Sequence, residues 1–150
     1  ALIMKGDLMS NLSLFLKGNK KVKENEKHVA TTSICDENGV PVPWEFRHVT
    51  SKENTRIREK CTVEVPVKGK PNVYRPKLDT DKYMEQLICK AAVFPNLNDA
   101  ALQDSYGVKT PEDLLYCLVD EPGEYIDLCA WIQDFLGFES TQEKVDKAKN

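Results

Sequence analysis

The segment PNLNDAALQDSYG, residues 95–107, carries two asparagines, two aspartates, a serine and a tyrosine between two apolar helical segments. Calcium binding would require acidic ligands at alternating positions followed by a glutamate, and the segment does not follow that pattern. Asn96 or Asn98 can instead cap a helical turn that begins near Asp99, and Gly107 suits a left-handed helix terminus. We therefore interpret the segment as a connection between two helices rather than as a catalytic or metal-binding loop.

The histidines His28 and His48 and the cysteines Cys35 and Cys61 are residue types that bind zinc or form a nucleophilic pair. A zinc site needs four ligands, usually including a CxxC or HxxxH pair, and the sequence has neither spacing. For a Cys–His nucleophile, Cys35 and His48 form the only local pair, and no third group that could orient the histidine is evident. We expect neither a zinc site nor a catalytic cysteine.

Glu112 and Asp113 are adjacent carboxylates, the group that general acid–base catalysis often uses. Adjacent side chains on a helix diverge by about 100°, so these two would not converge on one substrate. In the first turn of a helix they interact favourably with the helix dipole instead. The patterns GxxxxGK[ST], GxGxxG and HExxH are absent from the sequence. We predict that the protein is not an enzyme, with no catalytic, cofactor-binding or metal-binding residues.

Length and charge favour one domain that binds neither nucleic acid nor membrane. The chain has 150 residues and a formal net charge of −3. No apolar run approaches the ~20 residues that cross a bilayer, and the N-terminus does not resemble a signal peptide. We expect residues 1–8 to be a vector-derived leader, residues 9–138 to form one domain, and residues 139–150 to be a polar tail. Ser140 and Glu143 could cap a final, frayed helix in that tail.

The first half of the sequence favours antiparallel strands. Asn38 and Gly39 favour a tight turn, because both residues tolerate positive φ. The residues that follow alternate strictly and predict a strand with one buried face: Val40, Val42, Trp44, Phe46 and His48. Pro41 and Pro43 lie on the other face of this strand. Because proline donates no backbone hydrogen bond, we expect an edge strand.

Three further elements are predicted before residue 79. Residues 10–18 resemble a short helix. Thr50 and Glu53 have the spacing of a capping box and predict the start of a short, charged helix. Residues 62–78 alternate around a turn at residues 68–71, which predicts a second hairpin. The apolar side of this hairpin consists of Val63, Val65 and Val67.

From Asp79 the apolar period changes to 3.6, which predicts helices. The first helix has the core face Tyr83, Met84, Leu87, Ile88, Ala91 and Phe94. Thr110 can cap the next helix, with Pro111 at its first position. Pro122 begins the last strong helix, whose core stripe is Tyr125, Leu128, Cys129, Ile132, Phe135 and Leu136. The order of elements predicts an α+β fold, in which N-terminal antiparallel β-hairpins are followed by a C-terminal α-helical bundle.

The order and spacing of these segments resemble the XkdN-like tail assembly chaperones of phages and prophages of Gram-positive bacteria. The most specific parts are LDTDKY, PNLNDAALQDSYGV and the helix that contains GEY and ends in GF. The resemblance covers about residues 10–138. It implies a non-catalytic assembly factor that binds the tape measure protein in the bacterial host cytoplasm before the tail tube polymerises.

A long, helical and apolar tape measure protein would need a helper that has an apolar acceptor surface. The family supplies no catalytic residues and no known binding site that could be carried over to this sequence. Two alternatives remain open. The protein could be a structural tail or baseplate subunit retained in the particle, or a small regulatory protein-binding module of the host.

Trp131 and Phe138 are the candidate partner-binding residues. On a helical wheel both fall outside the core stripe of the last helix, on the flank beside Asp127, one heptad apart. Burying both in the core would require the helix to be covered on nearly two sides. We expect them to form an acceptor edge for an amphipathic helix of the tape measure protein or for another copy of this chain. The alternative is that the polar tail or the first helix covers them.

We predict that all five cysteines are free thiols, because their number is odd and their spacing is wide. Alkylation of the denatured protein without reductant should therefore add five labels, measured by intact mass. A reproducible count of three or fewer labels would contradict this prediction.

Overall fold

The structure, a computed structural model, describes residues 11–138 of the chain. The predictions for residues 1–8 and 139–150, including the caps at Ser140 and Glu143, lie outside the described residues. Residues 11–13 are helical, and a 3-10 turn follows at Lys17–Asn19. The predicted helix therefore does not continue across residues 10–18. Within residues 11–138, no helix is long and apolar enough to span a membrane.

The first sheet has three antiparallel strands in the order β1-β2-β5. The strands are β1 (Glu26–His28), β2 (Trp44–Phe46) and β5 (Ala92–Phe94). Trp44 and Phe46 are buried, as the alternation predicts. The expected edge position of this strand is wrong, because β2 pairs on both sides and is central. Pro41 and Pro43 precede the paired residues, so they remove no hydrogen bond from either ladder.

The predicted turn at Asn38-Gly39 is present. Gly39 has a φ of +79°, which a glycine adopts without strain. The Asp36 carboxylate accepts hydrogen bonds from the backbone N–H groups of Asn38 and Val40. Beyond the turn, pairing is limited to one isolated bridge between Cys35 and Pro41, so the turn does not join two continuous strands.

Helix α1 (Ser51–Lys60) begins with the predicted capping box. Thr50 Oγ1 accepts a hydrogen bond from the Glu53 N–H, and the Glu53 carboxylate accepts one from the Thr50 N–H. Arg47 donates two hydrogen bonds to the same carboxylate, at 3.0 and 2.8 Å. The Arg47 hydrogen bonds, together with the Thr50 N–H, lower the pKa of Glu53 to about 2. This carboxylate therefore ties the start of α1 to the residue that follows β2.

The second sheet is the antiparallel pair β3 (Thr62–Pro66) and β4 (Tyr74–Leu78). We call residues 62–78 the hairpin arm. This is the predicted second hairpin, and its turn uses positive φ at Gly69 and Asn72. The Asp79 N–H donates to the Cys61 carbonyl at 2.8 Å, which closes the base of the arm. Most arm residues are exposed, so the arm contributes little to the core.

Helix α2 (Thr80–Ala91) begins at Asp79, whose carboxylate accepts a hydrogen bond from the Lys82 N–H. Four of the six residues predicted for its core face are buried: Tyr83, Leu87, Ile88 and Ala91. Phe94 is a correction to the predicted face, because the helix ends at Ala91 and the chain enters β5 directly. Phe94 lies in that strand and is 55% exposed.

Three helices complete the described part of the chain: α3 (Ala100–Ser105), α4 (Pro111–Leu118) and α5 (Pro122–Phe135). Asp99 caps α3 by accepting a hydrogen bond from the Leu102 N–H, so the cap is neither Asn96 nor Asn98. The predicted cap at Thr110 is confirmed, because its Oγ1 accepts from the Asp113 N–H at 3.1 Å. Helix α5 begins at Pro122, as predicted.

The main core cluster contains residues from the first sheet and from α2, α4 and α5. Its buried members are Ala30, Trp44, Phe46, Ile88, Ala91, Leu97, Leu114, Leu115, Leu118, Val119, Leu128 and Ile132. A second cluster joins α1 to α2 and consists of Ile57, Cys61, Tyr83 and Leu87. The α+β prediction is confirmed in outline, since strands dominate the first half and helices the second. The strict separation is wrong, because α1 lies between the two sheets and β5 lies between α2 and α3.

Replacing Thr110 with alanine should lower the free energy of unfolding by about 0.5–2 kcal/mol, because the first turn of α4 loses its side-chain cap. Urea denaturation measures this change. Thr55→Ala is the matched control, because Thr55 is an exposed position inside α1 and caps no helix. An unchanged midpoint for Thr110→Ala would show that the cap contributes nothing to stability.

Candidate partner-binding surface

An aromatic stack joins α5 to the first sheet. The ring centroids of His28 and Trp131 are 4.3 Å apart, those of Trp131 and Phe135 are 4.9 Å apart, and those of Phe135 and His48 are 4.1 Å apart. Phe46 also packs against Trp131, at 5.1 Å. The two residues of the stack on α5 are four positions apart, so they lie on one side of that helix.

The two histidines therefore pack against rings rather than forming a pair with each other. Burial lowers the pKa of His28 and is the main cause of the lowered pKa of His48. The neutral form of each ring is favoured in this environment, which suits stacking on an apolar neighbour. Within residues 11–138, no group of three or more His, Cys, Asp or Glu side chains could hold a metal ion.

The five cysteines are free thiols in the structure. Cys35 Sγ donates to the Thr32 carbonyl at 3.3 Å, whereas His48 stacks on Phe135, so the local pair considered for nucleophilic catalysis is not brought together. Burial raises the pKa of Cys89 to about 12. A thiol with such a pKa is a poor nucleophile near neutral pH.

The polar side chains of residues 95–107 bond to neighbours within the segment. Asn96 accepts a hydrogen bond from the Asn98 N–H, and Gln103 donates to the Leu97 carbonyl at 2.8 Å. Gly107 has a φ of +68° after the end of α3. Because these groups satisfy each other, the segment presents a helix connection, and the geometry agrees with the sequence interpretation.

Glu112 lies in the first turn of α4, as predicted, and accepts a hydrogen bond from Gln86 Nε2 at 2.7 Å. This contact links α4 to α2. The neighbouring Asp113 is exposed and provides the N–H that Thr110 caps. The two carboxylates therefore serve helix packing and helix capping rather than a common site.

The two candidate partner-binding residues have different environments. Trp131 is half-buried beneath His28 and Phe46, so the first sheet covers the flank of α5 on which it lies. Phe138 follows α5 and is 46% exposed. The chain turns at Gly137, with a φ of +76°, which carries Phe138 beyond the helix. The structure therefore does not place the two side chains on one continuous exposed edge.

Phe138 lines a groove of about 620 Å³ at the end of α5, which we call the C-terminal groove. Apolar side chains of Val49, Leu87 and Leu136 contribute to its lining. The remaining lining residues are polar or glycine: Lys20, Lys21, Lys23, His48, Thr50, Ser51, Asn54, Thr55 and Gly137. The groove therefore combines an apolar lining with three lysines, and it suits a segment that is apolar and carries acidic residues.

A second groove lies between α4, α5 and the start of α2, and we call it the tyrosine groove. Its two connected parts, of about 540 and 280 Å³, share Tyr116, Tyr125 and Ile126. The tyrosine rings are in contact at 5.0 Å, and Ile126 is 66% exposed. The remaining lining residues are Thr80, Asp81, Met84, Val119, Asp120, Pro122, Cys129, Ala130 and Gln133.

Sequence reasoning did not identify Tyr116 and Ile126 as surface candidates. The available signal was the position of Ile126, a large apolar side chain that falls beside the predicted core stripe of α5 rather than within it. Tyr116 gave no such signal, because its exposure depends on the way α4 packs against α2 and α5.

Comparisons with known proteins agree with this architecture. The family model described as phage XkdN-like tail assembly chaperone protein, TAC, matches residues 12–149. The protein YqbN of Bacillus subtilis (strain 168) is 22% identical over 138 residues, which is 92% of this chain and 91% of that protein. A crystal structure of the protein yqbn matches with a TM-score of 0.70 at 18% identity, over 85% of this chain and 96% of that chain. At this identity the structural match establishes a shared fold.

Replacing Trp131 with alanine should lower the free energy of unfolding by about 2–3 kcal/mol, somewhat less than for a fully buried tryptophan, because its stacking partners lose their contacts. Phe138→Ala should change it by less than about 0.5 kcal/mol, because that side chain is exposed. Chemical denaturation of both variants measures the difference. Equal losses for the two variants would contradict the different environments described above.

Proposed function

The chain belongs to the family of phage XkdN-like tail assembly chaperone proteins, and from this premise we propose that it binds the tape measure protein during tail morphogenesis. The proposed protein is non-enzymatic and acts in the cytoplasm of the bacterial host. The match over residues 12–149 is the observation that carries this proposal, since it includes almost every residue that forms the core and both grooves.

The non-enzymatic part of the proposal is supported by what the reactive residue types do in the fold. The two histidines stack on the aromatic side chains of α5. Glu53 caps α1 and binds Arg47, and Glu112 contacts Gln86. These side chains already have structural partners, and none of these contacts pairs a nucleophile with a general base.

For the tape measure protein we propose the C-terminal groove as the acceptor, with Phe138 as its exposed aromatic anchor. An amphipathic helix binds such a groove through apolar residues spaced by three or four positions. Phe138, Leu136 and Val49 offer the apolar contacts, and Lys20, Lys21 and Lys23 offer cationic contacts beside them. Trp131 then supports the surface from below, because it packs against Phe135, next to Leu136.

The test compares Phe138→Ala with Phe94→Ala in binding to the tape measure protein encoded with this chain. Phe94 is the matched control, because it is similarly exposed and does not line the C-terminal groove. Losing an aromatic anchor typically costs about 2 kcal/mol or more, so Phe138→Ala should weaken binding about 30-fold. The control should bind like the wild-type chain, and both variants should keep their denaturation midpoints.

Two outcomes would count against the proposal. If the wild-type chain does not bind the tape measure protein, the proposed function fails. If Phe138→Ala and Phe94→Ala bind equally well, the acceptor lies elsewhere on the chain. Mass spectrometry of mature particles separates the remaining role of a structural tail or baseplate subunit, because such a subunit would be retained in them and an assembly chaperone would not.

A further inference from the structure

The hairpin arm presents an apolar face that the rest of the described chain leaves partly exposed. Val63 lies opposite Lys77, and Val65 lies opposite Arg75. Residues directly opposite in an antiparallel pair point to the same side, and so do alternate residues along each strand. One face of the arm therefore consists of Val63, Val65, Val67, Val73, Arg75 and Lys77. We call it the valine face; Val63 and Val73 are 45% and 44% exposed.

The valine face points away from the adjacent core. Leu78 belongs to the opposite face of the arm by the same alternation, and it packs against the second core cluster. Because the two faces of a hairpin point in opposite directions, the side chains that anchor the base of the arm leave the valine face free. An exposed row of four valines requires an explanation, since isolated ribbons gain little stability from such residues.

Both edges of the arm are poor templates for an added strand. Backbone hydrogen bonds join Asp79 to Cys61 and Val67 to Val73, which fixes the parity of the ladder. By that parity Pro66 and Pro76 occupy positions whose N–H groups would point outward from β3 and β4. Proline has no N–H group, so each edge lacks a donor there. A partner of the arm would therefore contact the valine face through side chains.

The charges of the arm and of the helical region are opposite. Residues 60–78 contain five Lys or Arg and one acidic residue, Glu64. Residues 95–138 contain nine Asp or Glu and one basic residue, Lys109. The tyrosine groove lies mostly within the acidic region. Among its described lining residues none is Lys or Arg, whereas Asp81 and Asp120 are present.

We propose that the valine face of one copy docks in the tyrosine groove of a second copy, forming a two-fold symmetric dimer. The valines would contact Tyr116, Tyr125 and Ile126, and Arg75 and Lys77 would lie near the acidic rim. The arm and the groove are neighbours on the chain, because β4 ends at Leu78 and Thr80 already lines the groove. A two-fold axis near this point lets each arm reach the partner's groove, which closes the assembly. The inference does not rest on the proposed function.

The test uses reversed charges on exposed residues, so that folding is preserved. The arm variant is Arg75→Glu, Lys77→Glu, and the groove variant is Asp120→Lys, Ile126→Lys; all four positions are exposed. Each variant alone opposes like charges in both contacts of its homodimer, so its dissociation constant should rise about tenfold or more. An equimolar mixture pairs opposite charges in both contacts and should restore the wild-type dissociation constant. Analytical ultracentrifugation of the full chain measures these values.

The matched control is Lys52→Glu, Arg56→Glu on α1, which makes the same change in net charge at exposed residues outside the arm and the tyrosine groove. It should dimerise like the wild-type chain. The proposal is overturned if the wild-type chain is a monomer up to its solubility limit, if the control weakens the dimer equally, or if the mixture fails to restore it. A monomeric chain whose groove variant loses the tape measure protein would assign the groove to that partner instead.

Discussion

The burial of α2 on two sides is the constraint on which the rest of the structure depends. Ile88 and Ala91 belong to the main cluster, whereas Tyr83 and Leu87 belong to the second cluster that holds α1. Each fully buried Leu or Ile side chain stabilises the fold by about 1.5–3 kcal/mol, so a helix that serves two clusters fixes both of them. The chain passes from Ala91 directly into β5, so the position of α2 also fixes the strand that pairs with β2.

The position of α5 follows from that arrangement. Leu128 and Ile132 enter the main cluster, and the stack from His28 through Trp131 and Phe135 to His48 holds the helix against the first sheet. At the start of α5, the Glu124 carboxylate accepts hydrogen bonds from Thr31 Oγ1 and from the Thr32 N–H and hydroxyl. These hydrogen bonds lower the pKa of Glu124, as expected for a carboxylate held by several donors. Helix α5 is thus attached along its whole length, and grooves remain only beside it and at its end.

The chemistry of this protein is therefore that of a surface rather than that of a catalytic centre. Residue types that could have performed catalysis or bound metal instead cap helices, stack on rings or link neighbouring helices. The apolar residues left on the outside lie in three places: the C-terminal groove, the tyrosine groove and the valine face of the arm. Membership of a family of assembly chaperones agrees with this distribution, because a chaperone needs accessible apolar surface on a body that folds stably without its partner.

The sequence by itself determined the features that depend on neighbouring residues. The capping box at Thr50, the cap at Thr110 and the turn at Asn38-Gly39 were all predictable, because their hydrogen bonds join residues a few positions apart. Only the tertiary structure decided the central place of β2, the strand at Phe94 and the cover over Trp131. Each of these depends on a partner distant in the chain: β5 for β2, β2 for Phe94, and His28 with Phe46 for Trp131. Local periodicity shows which side of an element is apolar, but the element that covers that side is set by long-range packing.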